Sequence, residues 1–277
     1  MSMSPERVRA AQELLAFYAE AGVDALLAEE PVDRLSATQL DPVPPRTPEP
    51  RVAEPRAARI DSRLVPPPRA PEDAPAAPEI AVMAAREAAR NAASLAELRE
   101  ILSNFEGCAL RKTAKQLVFA DGNPQARVMF VGEAPGREED LEGLPFVGRS
   151  GKLLDLMLTA IGLNRTTAYI ANIIPWRPPG NRTPTPQESQ ICLPFIQRQI
   201  ELADPDVLVC LGGPAAHALL GAKEGIKRMR GRWFSYATGT REIRALATYH
   251  PAYLLRTPLE KRFAWRDFLA IKAALDS

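Results

Sequence analysis

RVMFVGEAPGREED, residues 127–140, is a short apolar run that ends abruptly in a glycine, an acid and a Pro-Gly turn. An apolar run of this length bounded by loop signals reads as a strand buried on both faces, and such strands belong to parallel sheets covered by helices. Working outward, YIANII at 169–174, VLVCLG at 207–212 and IRALATY at 243–249 repeat the pattern. Helices are expected between and after them, near 150–162, 186–203, 214–221 and 259–275. The expected fold is therefore α/β: three αβα layers around a central four-stranded parallel sheet. Open sheets of this kind bind ligands outside the carboxyl ends of their strands. Here those ends carry Gly132-Glu133-Ala134-Pro135-Gly136, Asn172, Gly212-Gly213-Pro214 and His250-Pro251.

The first hundred residues have a different character. Twelve of the 27 prolines fall between Pro42 and Pro78, in a stretch with almost no aromatic residue, so it cannot bury a core. We read 1–36 as an N-terminal helical appendage, 37–80 as a Pro-rich disordered linker, and 81–277 as the globular domain with a helical lead-in over 81–104. Within the appendage Val8, Leu14, Leu15, Tyr18, Val23, Leu26 and Leu27 recur at helical spacing, which fits a small helical element or a docking helix for a protein partner.

Residues 1–104 carry a net charge of −5 and residues 105–277 a net +6, so the overall +1 conceals a basic globular part. That gives mild support to a polyanionic partner. No apolar run reaches the length of about 18 residues needed to cross a membrane, and MSMSPERVRAAQE is interrupted by charge before a signal core develops. The expectation is a cytoplasmic monomer with no membrane contact. Cys108, Cys192 and Cys210 are too few for a disulfide framework and are expected to stay reduced.

GEAPGREED lacks the spacing of a phosphate-binding loop and contains no GxGxxG; read alone, it is explained equally well by a tight turn that needs glycine. Its companions make it specific: PFVGRSGKLLD at 145–155, YIANIIPWRPPGNRTPTPQE at 169–188 and HPAYLLR at 250–256. Together, across roughly 105–272, they resemble family 4 uracil-DNA glycosylases in order and spacing. The resemblance implies an enzyme that flips uracil out of DNA and hydrolyses its N-glycosidic bond, leaving an abasic site.

By that resemblance Gly132, Ala134, Pro135 and Gly136 shape the uracil pocket and Phe146 stacks on the base, although alone Phe146 reads as core packing. Asn172 would read the uracil edge, since one amide offers an acceptor for N3–H and a donor for O4. His250 would donate to O2 as negative charge develops there, and a neutral imidazole suffices. Glu133 would orient water or sugar, or equally bond to the backbone; the Asp that the best-known glycosylase family places in this motif is Ala134 here. Leu254 and Leu255 are candidates for a wedge filling the space left by the flipped base, or for core residues opening the last helix. Arg149, Ser150 and Arg256, with Lys227, Arg228 and Arg230 from a basic cluster, are candidates for DNA phosphates. His217, in a predicted helix, is assigned no role.

The sequence departs from the family at one place. Family 4 members hold a four-iron cluster on four cysteines, and only Cys108 and Cys192 match; Phe105 and Trp176 stand at the other two positions. No metal or cofactor is expected, with the aromatic pair filling the space. No positioned lysine for a Schiff base is seen, so no lyase step is expected. Two other classes compete with the enzyme: a non-catalytic DNA-binding or replication accessory module, supported by Ala134, and a nucleotide-binding α/β protein, which leaves the Asn172–His250 pair unexplained.

Overall fold

The computed structural model describes residues 78–276. The appendage at 1–36 and nearly all of the linker lie outside the described residues. The linker's last three residues belong instead to the first helix, α1 (Pro78–Asn91). The helical lead-in is two helices rather than one, because Ser94 begins α2 (Leu95–Asn104) by accepting from Glu97 N at 3.2 Å while the Glu97 carboxylate reaches back to Ala93 N at 2.8 Å. That reciprocal cap satisfies donors a continuous helix would not expose, so it favours a break.

After the single turn α3 (Leu110–Thr113) the chain alternates: β1 (Asp121–Gly122), β2 (Val128–Gly132), α4 (Arg137–Glu142), α5 (Arg149–Ala160), β3 (Tyr169–Asn172), α6 (Pro186–Ala203), β4 (Val207–Leu211), α7 (Gly213–Leu220), α8 (Ile226–Met229), β5 (Trp233–Ala237), β6 (Glu242–Thr248), α9 (Pro251–Arg256) and α10 (Lys261–Asp276). The sheet has the order β1-β3-β2-β4-β6-β5. Its four inner strands are parallel, as expected. It also has two antiparallel edge strands that the apolar-run criterion does not detect. β1 is only two residues long, and β5 buries Tyr236 while its Trp233, Ser235 and Ala237 stay exposed, so neither forms the continuous apolar run of an inner strand.

Side-chain alternation builds the two outer layers. Met129 and Val131 of β2 pack with Leu208, Cys210, Ala245 and Ala247 under α1, α2, α6 and α7, whereas Val128 and Phe130 pack with Val207, Val209 and Leu246 under α5 and α10. Burial of both faces explains why every residue of β2, β3 and β4 is buried. α6 starts where TPQE predicts: Thr185 accepts from Glu188 N at 3.1 Å and the Glu188 carboxylate accepts from Thr185 N at 2.7 Å, with Pro186 at the first helical position. No helix among the described residues is long and apolar enough to cross a membrane.

Candidate active site

Three of the four parallel strands deliver their carboxyl ends to one cleft of about 640 Å³, whereas Gly212-Gly213-Pro214 at the end of β4 does not line it. Glu133, Ala134, Pro135, Gly136, Phe146, Arg149, Ser150, Asn172, His250, Leu255 and Arg256 all line it, so the residues singled out at three strand ends do converge. Beyond the formal ends of β2 and β3 the backbone ladder continues, Ile173 N to Gly132 O at 2.9 Å and Ile174 N to Glu133 O at 3.0 Å, which makes the floor of the cleft rigid.

Gly132 lies directly opposite Asn172 in the β2–β3 register. A Cβ there would meet Asn172 Oδ1 at 2.5 Å and Phe146 Cζ at 2.6 Å, so the glycine is what lets amide and ring approach each other. Asn172 is 5% exposed, and among the described residues its Oδ1 is the one buried side-chain oxygen or nitrogen without a hydrogen-bond partner. An unmet buried acceptor costs about 1–3 kcal/mol, a penalty that a ligand N–H removes.

His250 stands before α9 and caps it: Nδ1 accepts from Ala252 N at 3.1 Å. With Nδ1 an acceptor, the neutral ring carries its proton on Nε2, the nitrogen left to donate to a ligand. Burial, reinforced by the Arg256 charge, lowers its pKa from 6.5 to about 4. Its ring faces that of Phe146 at 5.4 Å between centroids, 30° from parallel. Glu133 is half-buried; burial raises its carboxyl pKa, and among the described residues that carboxylate has neither a hydrogen-bond nor an ion-pair partner. The alternative that it bonds the backbone is not what the side chain does.

Three residues that sequence reasoning passed over hold Phe146, whose backbone is left-handed at φ 55. The buried Glu139 carboxylate accepts from Gly136 N at 3.0 Å, Val147 N at 3.1 Å and Gly148 N at 2.9 Å, tying the GEAPG turn to the Phe146 loop. Gly136-x-x-Glu139 is one half of a capping box, the carboxylate reaching back to Gly136 N while glycine has no side chain to return the bond, and the Glu at that spacing was the available signal. Gly151 lies against the Phe146 carbonyl, and Arg165 donates to the carbonyls of Pro145 and Phe146. Neither residue carries a local sequence signal.

Two candidate groups fall differently from expectation. Leu254 is 1% exposed in a small core with Tyr249 and Ala264, because α9 turns it inward; only Leu255, 37% exposed, reaches the cleft. Arg230 is bound into the structure: it pairs with the 1%-exposed Asp267, donates to Phe263 O at 2.7 Å, and lies over the Tyr249 ring. That removes Arg230 from the phosphate candidates, while Lys227 and Arg228 are exposed but do not line the cleft. At the rim, Arg137, Arg149 and Arg256 are exposed and, among the described residues, pair with no carboxylate, whereas Arg127, Arg165, Arg182, Arg230, Arg232 and Arg241 all do.

Cys108 and Cys192 are buried with their sulfurs 3.9 Å apart, and the hydrogen bond with Cys108, followed by burial, pushes the Cys192 thiol up. Phe105 packs edge-on against Phe195 at 4.9 Å, its ring lies where a Cβ on Gly107 would be, and Trp176 is 2% exposed. A four-thiolate cluster does not fit this residue set, since only two thiols come together among the described residues and the third cysteine, Cys210, lies on β4.

A parallel αβα sheet with an open cleft at its strand ends, floored by an amide oxygen that has no partner among the described residues and stands near a neutral histidine, offers a site for a flat, hydrogen-bonding heterocycle. A sequence model of the uracil DNA glycosylase superfamily matches residues 119–270, the span that holds both sheet and cleft. Type-4 uracil-DNA glycosylases from Archaeoglobus fulgidus, Thermotoga maritima and Saccharolobus solfataricus are 42%, 43% and 39% identical to it over 63%, 58% and 61% of this chain and 89%, 84% and 81% of their own lengths. The chain belongs to the type-4 branch of the uracil DNA glycosylase superfamily.

Proposed function

We propose that this chain excises uracil from DNA as a monofunctional glycosylase: it takes a flipped uracil into the cleft, breaks the C1′–N1 bond and adds water at C1′, leaving an abasic site. The observation that carries this reading is the orphaned Oδ1 of Asn172, which matches the uracil N3–H. Cytosine offers a bare N3 acceptor instead, leaving two acceptors facing each other, and mismatches of that kind discriminate strongly. Phe146 supplies the face on which the base stacks. His250 Nε2–H donates to O2, so the departing uracil anion meets a neutral donor. Glu133, unpaired and half-buried, orients water or the cationic sugar. No lysine lines the cleft among the described residues, which supports hydrolysis without strand cleavage.

Incubation with uracil-containing and control oligonucleotides, followed by alkali, is expected to cut only at uracil. Ala134 favours one second reading, a DNA-binding accessory that has lost chemistry; retention of the uracil oligonucleotide with no alkali-labile site would establish it. Our reading has the chain act as a cytoplasmic monomer without an iron–sulfur cluster, leaving 1–36 for a protein partner. Stoichiometric iron with visible cluster absorption in anaerobically purified protein would overturn the cluster-free part.

The histidine yields a prediction about pH. A folded-state pKa near 4 against 6.5 unfolded means that the unfolded chain takes up a proton first as pH falls. This contribution to stability is full above 6.5 and is lost progressively down to about 4. Thermal midpoints are expected to fall through that window by less in His250→Gln, while excision by the folded enzyme shows no step at the ordinary histidine pKa. A rate step near 6.5 removed by His250→Gln would contradict the neutral-donor role.

For the rim, Arg149→Ala and Arg256→Ala are each expected to weaken binding of uracil and control duplexes alike and to reduce the salt slope of log K by about 1. Unchanged salt slopes in both variants would remove these side chains from the DNA interface.

A further inference from the structure

We propose that Arg165 is the positioning residue that fixes Phe146 as a base platform, acting from outside the cleft; this rests on the reading of Phe146 given above. Phe146 is a bulky residue held at φ 55, a strained conformation that persists only where the surroundings over-determine it. Arg165 lies in the loop between α5 and β3, with its side chain 25% exposed, and does not line the cleft. Its guanidinium meets four groups at once. Nη1 donates to Pro145 O at 3.1 Å and pairs with Asp121 of β1; Nη2 donates to Phe146 O and lies 3.3 Å from Asp155 Oδ2; Nε donates to Asp155 Oδ1 of α5 at 2.9 Å.

Two consecutive carbonyls are thus held on one side of a planar cation whose other side is anchored to a sheet edge and a helix. Consecutive carbonyls normally point in divergent directions, and drawing both toward one guanidinium is a direct restraint on the intervening φ and ψ. Lysine can neutralise Asp121 and Asp155, but its single ammonium has no planar fork to span both carbonyls and both carboxylates. Charge balance and platform geometry are therefore separable by substitution.

The test compares wild type with Arg165→Lys, Arg165→Met and Phe146→Ala in the full chain, at a temperature well below each unfolding midpoint. Single-turnover uracil excision, affinity for uracil-free duplex and the thermal midpoint are measured. Both Arg165 variants are expected to slow excision roughly 10–100-fold, the scale on which small misplacements of a positioning surface act. Affinity for uracil-free duplex is expected to stay at the wild-type level, because the rim cations are untouched. If Arg165→Met does not fold, Arg165→Lys carries the comparison, as it keeps a cation between the two carboxylates. A folded Arg165→Lys with wild-type excision and only a lower midpoint would overturn the proposal and make Arg165 a strut. Wild-type excision in Phe146→Ala would instead overturn the platform reading, and the proposal with it.

Discussion

Asn172→Ala is expected to slow uracil excision by about 10²–10³-fold, the scale of losing one oriented polar group that acts on the reacting system, with no loss of folding stability from the missing oxygen. The two halves of that expectation come from the same atom. Oδ1 makes no hydrogen bond within the protein among the described residues, so its removal takes no hydrogen bond from the fold. It even relieves a desolvated acceptor worth about 1–3 kcal/mol. With substrate present the balance reverses, because the uracil N3–H then enters a pocket with nothing to accept it. Asn172→Asp is expected to be at least as inactive near neutral pH, since a carboxylate places negative charge beside uracil O4. Single-turnover rates on a uracil oligonucleotide, with thermal midpoints on the same preparations, check both halves. An Asn172→Ala enzyme that is slow only because it is partly unfolded would show a lowered midpoint, and one with the wild-type rate would remove Asn172 from base recognition.

What the sequence makes legible follows from how local each signal is. The four inner strands are readable because burial on both faces demands unbroken apolar runs, and β2, β3 and β4 are buried at every position. Edge strands escape that logic: β5 buries Tyr236 and exposes its neighbours, so WFSYA is not among the four runs read as strands. Phe146, Asn172 and His250 are readable because motif order and strand-end position coincide. Leu254 and Leu255 are not distinguishable, since one step along a helix of only six residues separates the core from the cleft. Arg230 looks like a phosphate ligand until Asp267, 37 residues away, is seen to claim it. The supports of Phe146 are least legible of all, because Arg165 acts on backbone carbonyls 19 and 20 residues distant and Gly151 acts by what it lacks.

Gly151→Ala separates local propensity from tertiary packing. Gly151 is the third residue of α5, where alanine is favoured over glycine by about 1 kcal/mol in an exposed helix, so propensity alone predicts a more stable protein. Packing predicts the opposite. An added Cβ would lie 1.6 Å from the Phe146 carbonyl oxygen and 2.0 Å from its carbon. Both are backbone atoms, so no side-chain rotation relieves the overlap, and the loop or the helix must shift by more than an ångström. The loop is poorly able to do so, with Arg165 holding the carbonyl and Glu139 holding the next two amides. Overpacking of this sort costs about 1–3 kcal/mol where the surroundings can adjust, which already outweighs the propensity gain. Displacement of the Phe146 ring from the cleft is expected to reduce excision by about 10²-fold or more. Gly225→Ala serves as the control: nothing lies within 4 Å of its Cβ position and its φ is −66, so the rate is expected to stay near wild type, with only the small midpoint loss that alanine brings at a helix N-cap. A Gly151→Ala protein as stable and active as wild type would show that the loop yields freely. The left-handed Phe146 would then not be a rigid platform, and the contacts from Arg165 and Glu139 would be incidental to base recognition.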